Sequence, residues 1–496
     1  MSHSSVFALV VIAVSRVLAA AQSHVAGELS LEPYSFRTYD GHEHVAEIGH
    51  LWVQESRNGS AKDLIQLGFV RLRSTAQKPR SPVVFLPGGP GIPGTVLGAV
   101  PVYYELLEKL QTISDVILLD QRGIGKSVPN TACPEGAAPP VDVFANESNF
   151  RRAFINRATE CAAYWRAKGL SLESFSTAES VEDLEDLRRA LAANKLSLLA
   201  HSYGTALALE FVRRHEEHVD RVALAGVEGP DESLQMPSVF DFALRRISDL
   251  AASSPLQKDF PDTYHEFRRV LSELERKPIA VHIRSGKTSQ DVDLSVGAAM
   301  VEFVVKNMLP NGRKVEQVPA AVYSLGQHDT SLIRKSVEDL YNSLTSGFTA
   351  MQFAVLCSDG WSSGRLQLAQ EQASHSAFGD VSFVHLDADL CKGMGIKPEL
   401  SDSLLPLWSA TPALIISGTL DSNTPPFEAQ RVLWGLPNGQ SILVKNGFHE
   451  TLPSPATQAV VFDFLAGKDI PTTTVEFSPP SFVTINQAAA AEPLKP

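Results

Sequence analysis

The run Ala200-His201-Ser202-Tyr203-Gly204 places a hydroxyl between small residues, after a strand-like stretch and before a helix-like one (Ala206, Ala208, Phe211). A sharp strand-to-helix turn of this kind lifts a serine clear of a sheet, and bulky side chains two positions either side would collide with neighbouring backbone. Short Gly-Ser turns are common, so the motif needs partners. Residues 414–416 form an apolar run leading to Gly418-Thr419-Leu420-Asp421, and the next such run ends at Asn446-Gly447-Phe448-His449. Ser202, Asp421 and His449 thus each follow an expected strand's carboxyl end, where α/β sheets place their sites. In that constellation His449 takes the Ser202 proton and returns it to the leaving group, while Asp421 fixes the imidazole tautomer and stabilises the imidazolium. The implied chemistry is acyl transfer through a serine nucleophile, with His201 pointing elsewhere.

Acyl transfer also needs donors for a developing oxyanion. Residues 83–86 read as a strand followed by Pro87-Gly88-Gly89-Pro90-Gly91, whose glycines let backbone N–H groups approach closely. Gly89 and the N–H of Tyr203 are the candidate donors; Pro90 cannot donate.

The positioning elements follow from periodicity. Apolar runs at 83–86, 116–119, 196–199, 222–224, 414–416 and 442–444 alternate with helical stretches, which predicts a mostly parallel α/β sheet. Leu51 and Val53, then Ile65, Leu67 and Phe69 beyond Asn58-Gly59, predict an antiparallel hairpin. Ser180 and Asp183 read as a capping box ahead of Leu184, Leu187 and Leu191. Residues 232–402 carry mainly helical repeats (Val239, Ala243, Ile247, Leu250; Phe267, Val270, Leu271, Leu274) and read as an inserted cap domain. The expected layout is a core of 22–231 and 403–470, split by that cap and followed by a Pro-rich C-terminal tail, 471–496.

With 43 Lys plus Arg against 56 Asp plus Glu, the net charge of −13 argues against nucleic acid as a partner. The apolar run 6–14 is too short to span a bilayer and is followed by Ala19, Ala20 and Ala21; 1–21 therefore reads as a signal peptide cut before Gln22, which predicts secretion or export without stable membrane insertion. Cys133, Cys161, Cys357 and Cys391 lack metal-binding spacing, so no metal is expected. In an exported chain they favour two disulfides. Of three connectivities, Cys133 with Cys161 and Cys357 with Cys391 close local loops of roughly thirty residues each. Asn58 and Asn146 begin glycosylation sequons that matter only if the source glycosylates secreted proteins.

The sequence resembles α/β-hydrolases of the proline iminopeptidase and tripeptidyl aminopeptidase family. The resemblance rests on the Pro87–Gly91 loop, Asp120-Gln121-Arg122-Gly123-Ile124-Gly125-Lys126-Ser127, the Ser202 elbow, and 411–449 with Asp421-Ser422-Asn423-Thr424-Pro425-Pro426. Residues 47–72 and Ala354-Val355-Leu356-Cys357-Ser358-Asp359 resemble the secreted tripeptidyl aminopeptidase branch. It departs at Pro87, where the iminopeptidases typically carry histidine, and at Ala200 and Phe448, which replace common glycines. The resemblance implies a cofactor-free serine peptidase acting on peptides with a free N-terminus. Such an enzyme needs a carboxylate near the acyl pocket for the α-ammonium group. Glu228, just past the strand 222–224, is the candidate, with Asp231 and Glu232 behind it. The 120–127 motif reads as a structural turn tied by Asp120 and Arg122. Two other functions fit the residues: an esterase or lipase on the same triad, and a catalytically inactive hydrolase fold used for binding.

Overall fold

Short runs with no polar alternation form strands only where both faces of a sheet are covered, and the computed structural model shows this arrangement. It describes residues 24–57, 59, 63–380, 388–398 and 402–490. The signal-peptide reading of 1–21 and the Asn58 sequon lie outside these residues. The strands are β1 (Leu29–Arg37), β2 (Glu43–Gln54), β3 (Leu64–Leu72), β4 (Val83–Leu86), β5 (Val116–Asp120), β6 (Leu196–His201), β7 (Val219–Ala225), β8 (Ile279–Arg284), β9 (Asp291–Val296), β10 (Ala413–Gly418), β11 (Gly439–Lys445) and β12 (Thr474–Glu476).

All but β8 and β9 form one sheet, in the order β1-β2-β3-β5-β4-β6-β7-β10-β11-β12. It is antiparallel from β1 to β5 and parallel from there on. Strand alternation divides the apolar runs between two cores. Val84, Leu86, Leu198 and Leu224 face Val181, Leu184 and Phe211 of the helices Thr177–Ala190 and Tyr203–His215. Val83, Phe85, Leu199 and Ala223 face Leu107 and Phe464 of the helices Pro101–Gln111 and Pro455–Leu465.

The segment between β7 and β10 has its own core, including Phe240, Phe267, Val281, Leu294 and Val304. It is not purely helical, because β8 and β9 pair as an antiparallel hairpin. Nor is it built from 232–402 alone. Phe144, Phe150 and Phe154, from around the helix Glu147–Ala167, pack into the same core. That helix also holds Cys161, which is bonded to Cys133; Cys357 is bonded to Cys391, joining the helices Ala350–Asp359 and Ala388–Met394. The stretch after 470 adds β12 to the sheet edge beside β11, and Ala488 packs with Phe260 and Ala320. Among the described residues no helix is long and apolar enough to cross a membrane.

Two local readings change. The helix Thr177–Ala190 is capped by Ser176, whose hydroxyl accepts from Glu179 N, so Ser180 and Asp183 lie inside it rather than forming its cap. Asp183 serves another purpose. It accepts from Arg122 Nε and Nη2 at 2.8 and 2.7 Å, and Arg122 Nη1 also donates to Glu55 O and Ser174 O. Asp120 ties its own turn, accepting from Thr95 N at 2.9 Å and Lys126 N at 2.8 Å. Gly125, at φ +58°, leaves no room for a Cβ, which would meet Asp120 Oδ2 at 2.1 Å. The two halves of the motif thus hold different things: Asp120 the turn, Arg122 the junction of β2, the helix Thr177–Ala190 and the loop before it.

Arg122 is 0% exposed, and removing one partner of a buried ion pair costs about 3 to 5 kcal/mol. Arg122→Met is expected to lower stability by about that amount, with Arg57, 2.8 Å from Asp183, limiting the loss. Denaturant unfolding checks it; a midpoint equal to that of the native chain would show that Arg122 holds nothing together.

Candidate active site

Ser202 stands between β6 and the helix Tyr203–His215 with φ +56° and ψ −133°. A non-glycine residue holds such backbone angles only where its surroundings over-determine them. Here Ser202 N donates to Ala225 O at 3.0 Å, and Thr205 N donates to Ser202 O at 2.7 Å. Glycine is required on both sides. A Cβ on Gly204 would lie 2.0 Å from Leu86 O, and one on Gly88 would lie 2.5 Å from Ser202 Cβ.

Asp421 and His449 meet at the ends of β10 and β11. His449 Nδ1 donates to Asp421 Oδ2 at 2.9 Å. Asp421 Oδ1 accepts from Asn423 N at 2.8 Å and Thr424 N at 3.0 Å, and Thr424 Oγ1 donates to Oδ2 at 2.8 Å. Burial opposes ionisation of Asp421, but the imidazole beside it and the Thr424 donors hold its carboxyl below the usual range. Burial likewise pushes the His449 imidazole down, yet Asp421, with Glu450 and Glu228 farther off, raises it above its ordinary value. Gly226, φ +60°, lies against this pair: a Cβ there would come within 3.0 Å of His449 Cε1, and the preceding Ala225 carbonyl accepts from Ser202 N. The loop is also fixed from the inserted segment, since His449 N donates to Pro310 O at 3.1 Å.

His201 turns away from the serine. It is buried and its Nε2 lies 3.1 Å from His449 O. Burial pushes its imidazole below the usual range, which leaves it neutral.

Gly89, φ +116°, and Ser202 border one cavity of about 150 Å³. The Tyr203 N–H is a first-turn amide with no acceptor inside its own helix, and it sits at the helix's positive end. The Tyr203 ring is buried, its hydroxyl 2.7 Å from Thr177 Oγ1.

Glu228 borders the same cavity, with Glu232. Its backbone is pinned by Glu228 N donating to Thr205 Oγ1 at 2.8 Å. Burial first, then Asp359 and Glu232, push its carboxyl up to about 7. The neighbouring acids are matched: Glu232 accepts from Arg431 at 3.0 Å, Glu428 from Arg365 at 3.1 Å, and Asp231 from Ser362 at 2.6 Å. Asp231 therefore holds the inserted segment, whereas Glu228 and Glu232 border the cavity of Ser202.

The sequence reading missed the rest of this wall. Gln235, Lys306, Asn307 and Gln352 come from the inserted segment, and Asn423 and Thr424 from the Asp421 loop. Thr424 had a signal, since Asp-x-Asn-Thr is a pattern in which an aspartate accepts from the amides two and three residues on. Lys306 had one too, as a charge near the end of a mainly apolar helix whose other charge is Glu302.

Residues 81–285 match the family described as alpha/beta hydrolase fold. This chain has the α/β-hydrolase fold. It is 22% identical over 420 residues to "Putative hydrolase YuaR" of Escherichia coli (strain K12), covering 77% of this chain and 78% of that one. It is 26% identical over 288 residues to "Serine protease Hip1" of Mycobacterium tuberculosis (strain ATCC 25618 / H37Rv), 54% of each chain. It is 28% identical over 178 residues to "Tripeptidyl aminopeptidase" of Streptomyces lividans, 34% of this chain and 32% of that one. The chain thus spans about half or less of the length of the two peptidases, and its own substrate has to be argued from its residues.

Proposed function

We propose that this hydrolase is an exported serine aminopeptidase that releases short N-terminal peptides or residues through an acyl-enzyme. Ser202 Oγ attacks the scissile carbonyl as His449 takes its proton; the tetrahedral oxyanion is met by the Gly89 and Tyr203 N–H groups. Collapse breaks the C–N bond, His449 returns the proton to the leaving amine, and water then hydrolyses the ester with the same histidine as base. Asp421 keeps Nδ1 protonated and turned away from the serine. Each oxyanion donor is worth about 3 to 4 kcal/mol on the barrier. These residues bind, orient and move the protons without calling on a further group.

Glu228 carries the choice of substrate. A carboxylate bordering the cavity of Ser202, with no hydrogen-bond donor matched to it among the described residues, is a receptor for a cation. A peptide's free α-ammonium supplies one at the right end of the acyl group. The names of the serine protease and tripeptidyl aminopeptidase relatives support the reading. The disulfides support export.

Chromogenic amides of Pro, Ala and Ala-Ala-Pro, each free and acetylated, test the proposal alongside a short-chain ester. Free-amine substrates should be cleaved and acetylated ones refused; ester cleavage alone, indifferent to the amine, would make this an esterase. Glu228→Gln should raise KM for free-amine peptides about 10- to 100-fold, the worth of a charge-assisted hydrogen bond. Because the Glu228 carboxyl is pushed up to about 7, its charged form grows as pH rises through that value. KM for free amines should fall across pH 7 in the native enzyme and stay flat there in Glu228→Gln. An unchanged KM in the variant discards the assignment.

A further inference from the structure

The helix Ala350–Asp359 passes from the oxyanion loop to the surroundings of Glu228. Gln352 and Leu356, one turn apart on the same face, border the cavity of Ser202. At the start of the helix Gln352 lies against the loop that carries Gly89, since a Cβ on Gly91 would come within 3.5 Å of Gln352 Cβ. At its end Asp359 and Glu228 line a second, smaller cavity together, and the Asp359 charge helps to push the Glu228 carboxyl up. Between Gln352 and Asp359 the helix rises about 10 Å. Its position is firm: Met351 N donates to Thr131 Oγ1 at 3.1 Å, and Cys357 is bonded to Cys391.

Most polar side chains of the cavity wall are matched within the protein. Asn423 Oδ1 accepts from Gln235 Nε2 at 3.3 Å, Asn307 Nδ2 donates to Phe303 O at 2.7 Å, and Thr424 Oγ1 donates to Asp421. Gln352 differs. Its backbone N donates to Thr349 Oγ1 at 3.3 Å, but its side-chain amide has no hydrogen-bond partner among the described residues. That amide offers a donor and an acceptor together, and those are the two groups a peptide unit presents.

We infer that Gln352 is a specificity-determining residue whose side-chain amide binds a peptide unit inside the acyl part of the substrate, between the amine held at Glu228 and the carbonyl attacked by Ser202. This rests on the aminopeptidase reading and deepens it, because an acyl part of one residue has no such unit. An extended chain covers at most about 3.6 Å per residue, so an acyl group laid along this helix holds more than one. Its internal peptide unit leaves water on entering the cavity, and a buried amide that finds no partner weakens binding. Gln352 supplies that partner from a fixed helix, which also sets the register of the chain. A single-residue substrate leaves the Gln352 amide unmatched and gains nothing from it.

The test compares kcat/KM for the free-amine p-nitroanilides of Ala, Ala-Ala and Ala-Ala-Ala in the native enzyme and in Gln352→Met. The native enzyme should favour at least one of the longer amides over the Ala amide by about tenfold or more. Gln352→Met, which keeps the length of the side chain and removes its hydrogen bonding, should lower kcat/KM for the favoured longer amide by about tenfold and leave that of the Ala amide within about twofold. A merely structural role would lower all three alike. Such a uniform loss, no loss at all, or a native enzyme that uses the Ala amide as well as the longer ones overturns the assignment. Thermal melting shows whether Gln352→Met is folded; if it is not, Gln352→Leu takes its place under the same criteria. Failure to cleave any of the three amides, with Ser202 still labelled by a phosphonate, would sink the aminopeptidase reading itself and the role of Gln352 with it.

Discussion

Ser202→Ala is expected to lower kcat by about 10⁶-fold, the scale seen when a triad nucleophile is removed, and to abolish covalent labelling by a serine-directed phosphonate. The expectation follows from the geometry more than from the residue type. Ser202 is held at φ +56° by hydrogen bonds on both sides and is approached by Gly88 so closely that no side chain fits there. Strain of this kind is retained where the hydroxyl has a task. The variant keeps the fold, because alanine fills the same space without the oxygen, so its melting curve should match that of the native chain. Residual turnover above the uncatalysed rate would come from the oxyanion donors and binding alone. Labelling of Ser202→Ala at the native level would place the nucleophile elsewhere, and absence of labelling in the native protein would revive the reading of an inactive binding module.

Asp421→Asn should cost about 10⁴-fold in kcat with the geometry intact, because an amide at that position stabilises the wrong imidazole tautomer. It should also move the pH profile. His449 must be neutral to accept the Ser202 proton, so activity is lost as pH falls through its pKa. In the native protein burial pushes that value down and Asp421 more than reverses it. Without the Asp421 charge the largest raising influence is gone, and the acid limb of kcat/KM shifts to lower pH. Asn423 N and Thr424 N still find an acceptor in the carbonyl oxygen of the introduced amide, so the loop should hold. The prediction fails if the loss is under about tenfold or the acid limb stays in place. Effects at Ser202 and Asp421 will not add, since the residues act as one unit.

What could be read from the sequence was local. The strand runs at 83–86, 196–199 and 414–416 are short, apolar on both faces and followed by glycine or by small residues, and β4, β6 and β10 form there. Their carboxyl ends carry Gly89, Ser202 and Asp421 because a parallel sheet brings all such ends to one edge. The capping serine was misplaced by four residues because Ser176 and Ser180 both precede acidic residues, and only the backbone angles separate them: Ser176 is extended and Ser180 helical. β1 and β12 were missed for a different reason. Both are edge strands, half exposed or short, and their pattern does not stand out until a neighbour offers its hydrogen bonds.

The sequence by itself determined the inner strands of the sheet, the elbow turn and the residues at the strand ends, since strand periodicity, glycine spacing and residue chemistry all act within a few positions. Tertiary structure alone decided the walls of the cavity. Lys306 and Gln352 border the cavity of Ser202 only because their helices are packed in place by distant parts of the chain, that of Lys306 in the core with Phe144, Phe150 and Phe154 and that of Gln352 in the one with Cys161 and Tyr203. Packing of that kind is set by the fit of many side chains at once, and no window along the chain contains it.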